Sequence, residues 1–177
     1  NPQLIEQHVE KILQEYDFMV VVERMDESLV MLQLLLGVQP GDMLTMDSKV
    51  QGDFQFFPSK GTCIQIAKSH VSPSVKQYLN SSLWYAQNYG DYLLLAAANR
   101  SLDLTIDAWG RPQFITALKE YERLKKQANE ACSCKVVFQC SSDGLPQIEK
   151  AKENCYEKDQ GCGYPCIDEM LESEKKG

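Results

Sequence analysis

The hydrophobic positions near the start of the chain recur at helical spacing. They are Leu4, Ile5, Val9, Ile12 and Leu13. This spacing predicts an amphipathic helix that runs to about Glu15, with Asn1 as its N-cap and Pro2 in the first helical position. The apolar run from Phe18 to Val22 follows. Because that run is continuous and rich in β-branched residues, it predicts a strand buried on both faces, as in a parallel sheet covered by helices.

A second apolar stretch, from Leu29 to Leu36, predicts a buried helix with Asp26 as its N-cap and Gly37 as its C-cap. Helix, strand and helix in this order are typical of an α/β layer. One strand does not make a sheet, so we expect the partner strands in chain that is missing here. The predicted class is therefore a helix-rich α/β domain.

The remaining chain divides at its breakers. Residues 38–71 carry Pro40-Gly41 and further Gly and Pro residues, which predicts connecting structure. Helices are predicted from Ser72-Pro73 to about Leu79, over 90–109 and over 112–131, the last two separated at Gly110. Beyond 132 we expect an irregular tail with short helices near 146–155 and 166–173. Residues 1–131 are predicted to form the α/β domain and 132–177 its Cys-rich tail.

Charge and hydropathy exclude two classes of protein. The net charge of −7 does not suit a free-standing nucleic-acid-binding domain, which carries a basic face. The longest apolar run, Tyr92 to Ala98, has seven residues, whereas a helix needs about 20 to cross a bilayer. Any membrane anchor is therefore expected only in a missing N-terminal segment.

Six of the seven cysteines lie in the last 46 residues. This density favours a disulfide-stapled tail in an oxidising compartment, while a zinc site and reduced structural cysteines remain alternatives. The spacing does not choose among the pairings, and Cys63 is expected to be the free thiol. Two sequons, at Asn80 and Asn99, also favour glycosylation in a secretory lumen. The disulfide candidates are Cys132, Cys134, Cys140, Cys155, Cys162 and Cys166.

A polar cluster follows the predicted strand, where α/β proteins bind their ligands. Its carboxylates can accept hydrogen bonds from sugar hydroxyls or act as a general base, and its serine with the first-turn amides can meet an anion. A helix cap with an Arg–Glu ion pair would explain the same residues without any function. We expect no metal site. The cluster comprises Glu23, Arg24, Asp26, Glu27 and Ser28.

Two segments resemble the Golgi galactose 3-O-sulfotransferases, the family of galactosylceramide sulfotransferase. Residues 17–32, DFMVVVERMDESLVML, resemble a family segment in which a buried strand ends in Glu and Asp-Glu-Ser then opens a Leu-rich helix. Downstream, Asn99-Arg100-Ser101 and Trp109-Gly110-Arg111 are similar to the family's sequon and aromatic-Gly-Arg turn before a long helix. The resemblance covers roughly 15–37 and 90–131.

The resemblance implies a P-loop-type sulfotransferase fold and transfer of a sulfuryl group from 3′-phosphoadenylyl sulfate (PAPS) to a galactose-terminated glycolipid or glycan. It implies that PAPS is held mainly upstream of this chain, and that Glu23 and Asp26 stand on the acceptor side. The catalytic base is not assigned. Two alternatives stay open, which are a non-enzymatic secreted helical binding domain with a stapled tail and a distant glycosyltransferase-type fragment.

Overall fold

The computed structural model describes residues 2–45, 52–133, 138–148 and 163–174. Of the described residues, 68% are helical, and the sheet that they form is small and two-stranded. The helix-rich part of the predicted class is therefore confirmed. The chain forms two compact units, the first from residues 1–38 and 70–120 and the second from 39–69 and 121–177.

The first unit is built from helices. Their bounds are α1 Pro2–Glu15, α2 Met25–Leu36, α3 Pro73–Leu79, α4 Ser82–Gln87 and α5 Tyr89–Trp109, followed by α6 Arg111–Cys132, which continues into the second unit. The predicted helices α1, α2, α3, α5 and α6 are confirmed, and α4 was not predicted. Buried apolar side chains from several of them form the core of this unit: Val9, Val30, Met31, Leu102, Ile106 and Phe114.

The predicted strand from Phe18 to Val22 is wrong. These residues are not assigned to a strand, and a short 3₁₀ helix begins at Val22. Val21 is buried, but Val20 is 42% and Val22 71% exposed. An apolar run forms a strand only when a second strand satisfies its backbone groups, and no strand among the described residues pairs with this one. The parallel sheet is accordingly not seen in the part of the chain that the structure describes.

The predicted helix ends are confirmed in part. Asp26 is not the N-cap of α2, because the helix already begins at Met25 and Arg24 occupies the cap position. Gly37 closes α2 in the left-handed conformation, with φ of 66°. The Ser72 hydroxyl caps α3 by accepting a hydrogen bond from the amide of Val75. The predicted cap Asn1 lies outside the described residues.

The second unit contains a β-hairpin that was not predicted, because the Gly and Pro residues in 38–71 indicated connecting structure. Strands β1, Phe54–Phe57, and β2, Thr62–Gln65, pair antiparallel with Phe56 opposite Cys63. A short 3₁₀ helix, Pro40–Met43, precedes the hairpin, and α7, Tyr164–Glu174, confirms the predicted helix near 166–173. The predicted helix near 146–155 lies largely outside the described residues. The buried side chains of this unit include Leu44, Tyr121, Leu124, Ala128 and Ile167.

Two disulfides fasten the second unit. Cys63 pairs with Cys140, which joins β2 to the segment after α6, and Cys132 pairs with Cys166, which joins the end of α6 to α7. The prediction that Cys63 is the free thiol is wrong, because the hairpin brings it beside Cys140. The predicted disulfide character of the tail is confirmed for Cys132, Cys140 and Cys166. The other candidates, Cys134, Cys155 and Cys162, lie outside the described residues.

Candidate functional site

The predicted polar cluster lies in the first unit, where the extended run meets α2. Ser28 is fully buried in the first turn of this helix. Its hydroxyl accepts a hydrogen bond from the amide of Val21 at 3.0 Å and donates one to the Val21 carbonyl at 3.4 Å. These bonds replace the partners that a neighbouring strand would supply to Val21. Ser28 therefore fastens the extended run to α2 and has no hydroxyl proton left for a ligand.

Arg24 joins this segment to α5. Its Nε donates to the Glu27 carboxylate at 3.0 Å, and its Nη2 donates both to Glu27 and, at 2.9 Å, to Asp103. Its Nη1 lies 3.5 Å from the side-chain oxygen of Asn99. Asn99 and Asp103 stand four residues apart on α5 and so share one helix face. We call Arg24, Glu27, Asn99 and Asp103 the arginine network.

The arginine network holds one guanidinium between two carboxylates. Hydrogen bonding to Glu27 and then to Asp103 raises the pKa of Arg24, although partial burial of the guanidinium acts in the opposite direction. Because both carboxylates already occupy its donors, Arg24 is not placed to bind an anionic ligand. The pair Arg24–Glu27 matches the non-functional explanation given by the sequence. The partners of Arg24 on α5, Asn99 and Asp103, were not predicted. The sequence signal for them is their i, i+4 spacing, which places both on one helix face.

The two acceptor-side candidates differ in exposure. Glu23 lies in the 3₁₀ turn with an exposed side chain, whereas Asp26 is half-buried in the first turn of α2. Neither carboxylate belongs to the arginine network. Among the predicted site carboxylates, Glu23 is exposed, whereas Asp26 and Glu27 are half-buried. Arg24, Glu27 and Ser28 hold the turn that carries Glu23.

The aromatic-Gly-Arg turn between α5 and α6 presents a further exposed feature. Trp109 is 45% exposed, and Gly110 has φ of 117°, where a Cβ atom would lie 2.5 Å from the side-chain oxygen of Gln113. The positive φ favours glycine at this break, while the Gln113 side chain is flexible enough to move away from a Cβ atom. Arg111 pairs with Asp107, whose carboxylate raises the arginine's pKa.

The paired arginines of the described residues do not supply a PAPS cradle. A nucleotide with two phosphate groups and a sulfate needs several unpaired cations and clustered backbone amides. Three arginines of this chain, Arg24, Arg111 and Arg123, already pair with carboxylates, and the sequence contains no Gly-rich phosphate loop. We derive no step of sulfuryl transfer through PAPS for these residues.

A cavity of about 220 Å³ lies in the second unit, between the hairpin and the segment carrying Cys140. Phe54, Phe56 and Phe138 line it together with Ser141 and Ser142. It contains none of the predicted catalytic or substrate-binding residues, although the disulfide-bonded Cys140 lines it. Within the described ranges, no cluster of three or more His, Cys, Asp or Glu side chains is arranged to hold a metal ion.

None of the helices in the described part of the chain combines the length and apolar character needed to cross a bilayer. No family model, curated protein or solved structure matches this chain.

Proposed function

We propose that this chain is part of a PAPS-dependent carbohydrate sulfotransferase similar to the galactose 3-O-sulfotransferases, and that it contributes the acceptor side. The enzyme transfers a sulfuryl group to a hydroxyl of a galactose-terminated glycolipid or glycan in the Golgi lumen. Other parts of the enzyme hold the nucleotide, because the arginines named above are already paired with carboxylates.

The observation that carries this proposal is the contact between the two resembling segments. Arg24 lies in the first segment, and its partners Asn99 and Asp103 lie in and just after the sequon of the second. The Arg24 side chain thus contacts residues that lie 75 and 79 positions further along the sequence. An ancestral relationship to one family predicts that its two motifs belong to one structural unit, and this contact supports that expectation.

The apolar run before Glu23 leaves exposed surface that another part of the enzyme can cover. Val20 and Val22 flank the buried Val21 and are largely exposed. Adjoining exposed apolar side chains are suited to contact with another part of a larger protein. We infer that strands elsewhere in the enzyme form its sulfotransferase-type sheet, and that Glu23 faces the acceptor from the 3₁₀ turn before α2.

Glu23 has the chemistry that an acceptor site needs. A carboxylate near a sugar hydroxyl accepts its hydrogen bond and can take its proton as the oxygen becomes a nucleophile. Asp26 supports the same site from the first turn of α2. Arg24, Glu27 and Ser28, which were predicted to bind substrate, take the role of positioning residues in this proposal, since their polar groups are bound within the protein.

Two features support a secretory location. The disulfides Cys63–Cys140 and Cys132–Cys166 are compatible with an oxidising compartment. The sequons at Asn80 and Asn99 are compatible with the same compartment.

The test is sulfuryl transfer by the complete enzyme from labelled PAPS to galactose-terminated acceptors. Glu23→Gln should lower kcat/KM for the acceptor about 10²-fold while leaving donor affinity unchanged. Asp26→Asn should cost less, because Asn preserves the size and polarity of the side chain. Glu10→Gln, which changes an exposed glutamate on α1, is the matched control.

Two results would contradict the proposal. Wild-type turnover in both Glu23→Gln and Asp26→Asn would leave the cluster with a purely structural role. A properly secreted, disulfide-bonded protein that transfers no sulfuryl group to any such acceptor would favour the secreted binding domain instead.

A further inference from the structure

An aromatic cluster lies on α3, α4 and the start of α5. The Tyr78 and Trp84 rings meet edge to face at 5.5 Å, and the Tyr85 and Tyr92 rings stack at 5.1 Å. The Trp84 indole donates to the Tyr92 hydroxyl at 3.2 Å, which links the two pairs into one surface. Tyr89 joins through its ring contact with Tyr85. The aromatic cluster therefore comprises Tyr78, Trp84, Tyr85, Tyr89 and Tyr92.

Much of the aromatic cluster is open to solvent. Tyr78 is 43%, Tyr85 53% and Tyr92 41% exposed, and the neighbouring Leu83 is 58% exposed. Single exposed apolar residues are ordinary, but adjoining ones that also contact each other mark a surface with an occupant. Tyrosine rings suit an occupant that is partly apolar and partly polar, since each combines a flat ring with a hydroxyl.

Asn80 stands at the turn between the two helices that carry the Tyr78–Trp84 pair. It is the C-cap of α3, where its backbone amide donates to the Lys76 carbonyl. Its side chain is exposed, and its side-chain amide has no hydrogen-bond partner among the described residues. Ser81 begins α4 by capping the amide of Trp84. By contrast, the Asn99 amide donates to the Leu95 carbonyl, and its oxygen faces Arg24. A bulky group is accommodated at Asn80 without breaking any described side-chain bond.

We propose that Asn80 carries an N-linked glycan whose first sugars pack on the aromatic cluster. In the modification, Asn80 Nδ2 forms a bond to the anomeric carbon of an N-acetylglucosamine supplied by a lipid pyrophosphate-linked oligosaccharide. The bond from that carbon to the pyrophosphate breaks, the lipid pyrophosphate leaves, and one amide proton passes to a base of the transferring enzyme. No oxidation or reduction is involved.

The occupant follows from chemistry and from the point of attachment. The face of an aromatic ring is electron-rich, so it attracts the weakly positive C–H groups on the apolar face of a pyranose. Two ring-bearing residues flank Asn80 in sequence, and their rings contact each other across its turn. A glycan tethered there has a high effective concentration at the cluster. This inference needs only passage through a secretory lumen and stands apart from the proposed sulfuryl transfer.

Glycan occupancy is tested with two neighbouring serine variants of the protein secreted from cultured eukaryotic cells. Ser82→Ala removes the hydroxyl that the sequon requires, whereas Ser81→Ala removes the cap of α4 but keeps the sequon valid, because Asn80 and Ser82 are unchanged. We expect a glycosidase-sensitive mass at the Asn80 peptide in wild type and Ser81→Ala, and none in Ser82→Ala. An unmodified Asn80 in the secreted wild-type protein would overturn the proposal.

Packing on the cluster is tested with a double-mutant cycle. The melting temperature of the glycosylated protein should exceed that of Ser82→Ala by about 2 °C, and Tyr78→Ala should abolish this difference. Tyr16→Ala, which changes an exposed tyrosine outside the cluster, should preserve it. Equal glycan-dependent shifts with and without the Tyr78 ring would refute packing, even where Asn80 is modified.

Discussion

Each of the two units of this protein is stabilised internally by a different kind of interaction. In the first unit, Arg24 joins α2 to α5 through hydrogen bonds and ion pairs, and Ser28 fastens an extended run to its helix. In the second unit, Cys63–Cys140 and Cys132–Cys166 join segments that are far apart in sequence. The first unit thus depends on packed helices and a polar network, and the second on covalent cross-links.

This difference is consistent with the location of the proposed acceptor site in the first unit. A polar network positions side chains closely and leaves neighbours such as Glu23 exposed. Disulfides instead restrict the unfolded chain and stabilise a unit whose helices and strands are short. Reagents that reduce disulfides should therefore destabilise the second unit much more than the first. Substitutions in each unit test this difference, from the largest expected effect to the smallest.

The largest expected effect is the loss of a disulfide. Replacing Cys63 and Cys140 together by Ala, or Cys132 and Cys166 together, should destabilise the second unit by about 2–5 kcal/mol. The first pair should cost more, because its cysteines are 77 residues apart rather than 34. Urea-dependent hydrogen exchange of amides in the second unit measures this loss. Equal stability with and without the cross-links would contradict the covalent account.

An intermediate effect is expected for the arginine network. Arg24→Ala leaves the partly exposed carboxylates of Glu27 and Asp103 without their shared partner and should cost about 1 kcal/mol. Arg24→Lys should recover only part, because one ammonium cannot reproduce the forked contacts. Both tryptophans, Trp84 and Trp109, lie in the first unit, so their fluorescence in urea reports its stability.

The arginine network also predicts that two substitutions within it have coupled effects on the free energy of unfolding. In a double-mutant cycle, Arg24→Ala and Asp103→Asn should be non-additive, since both break the same contact. Additive losses would mean that the contact between the two resembling segments contributes no stability.

The smallest expected effect concerns Glu174 on α7. Its hydrogen bonds to Arg123 and then Gln127 lower its pKa below the ordinary value of 4.5. A lowered pKa in the folded state stabilises the protein above pH 4.5, and this contribution disappears as the pH falls through the folded-state pKa. Glu174→Gln should therefore lower the unfolding midpoint of the second unit at pH 7 and have a smaller effect at pH values below the folded-state pKa. Glu172→Gln, which changes an exposed neighbour on α7, is the matched control variant.

Helical periodicity made the first unit largely predictable. The spacing of apolar residues located α1, α5 and α6, and Gly37 and Ser72 marked helix ends because they satisfy backbone groups locally. The strand prediction for Phe18 to Val22 is wrong because a strand depends on distant residues, whereas a helix end depends on local ones. A strand needs a partner elsewhere in the chain, and apolar character alone does not provide one.

The second unit was less predictable because its structure depends on distant pairings. Phe54 to Gln65 alternates weakly around a Pro-Ser-Lys-Gly turn, and its hairpin was hidden among other breakers. The isolation of Cys63 in the sequence predicts a free thiol, whereas the hairpin places it beside Cys140, to which it is bonded. In the candidate site, local spacing indicated Arg24–Glu27, but Asp103 is a partner that only tertiary packing supplies.

Hydrogen exchange with and without a mild reductant tests the contrast between the units most directly. On reduction, amides in 54–65 and 164–174 should exchange faster, because they lose the cross-links Cys63–Cys140 and Cys132–Cys166. Amides in α2 and α5 should keep their protection, since the arginine network contains no cysteine. A uniform loss of protection over both units would contradict the account.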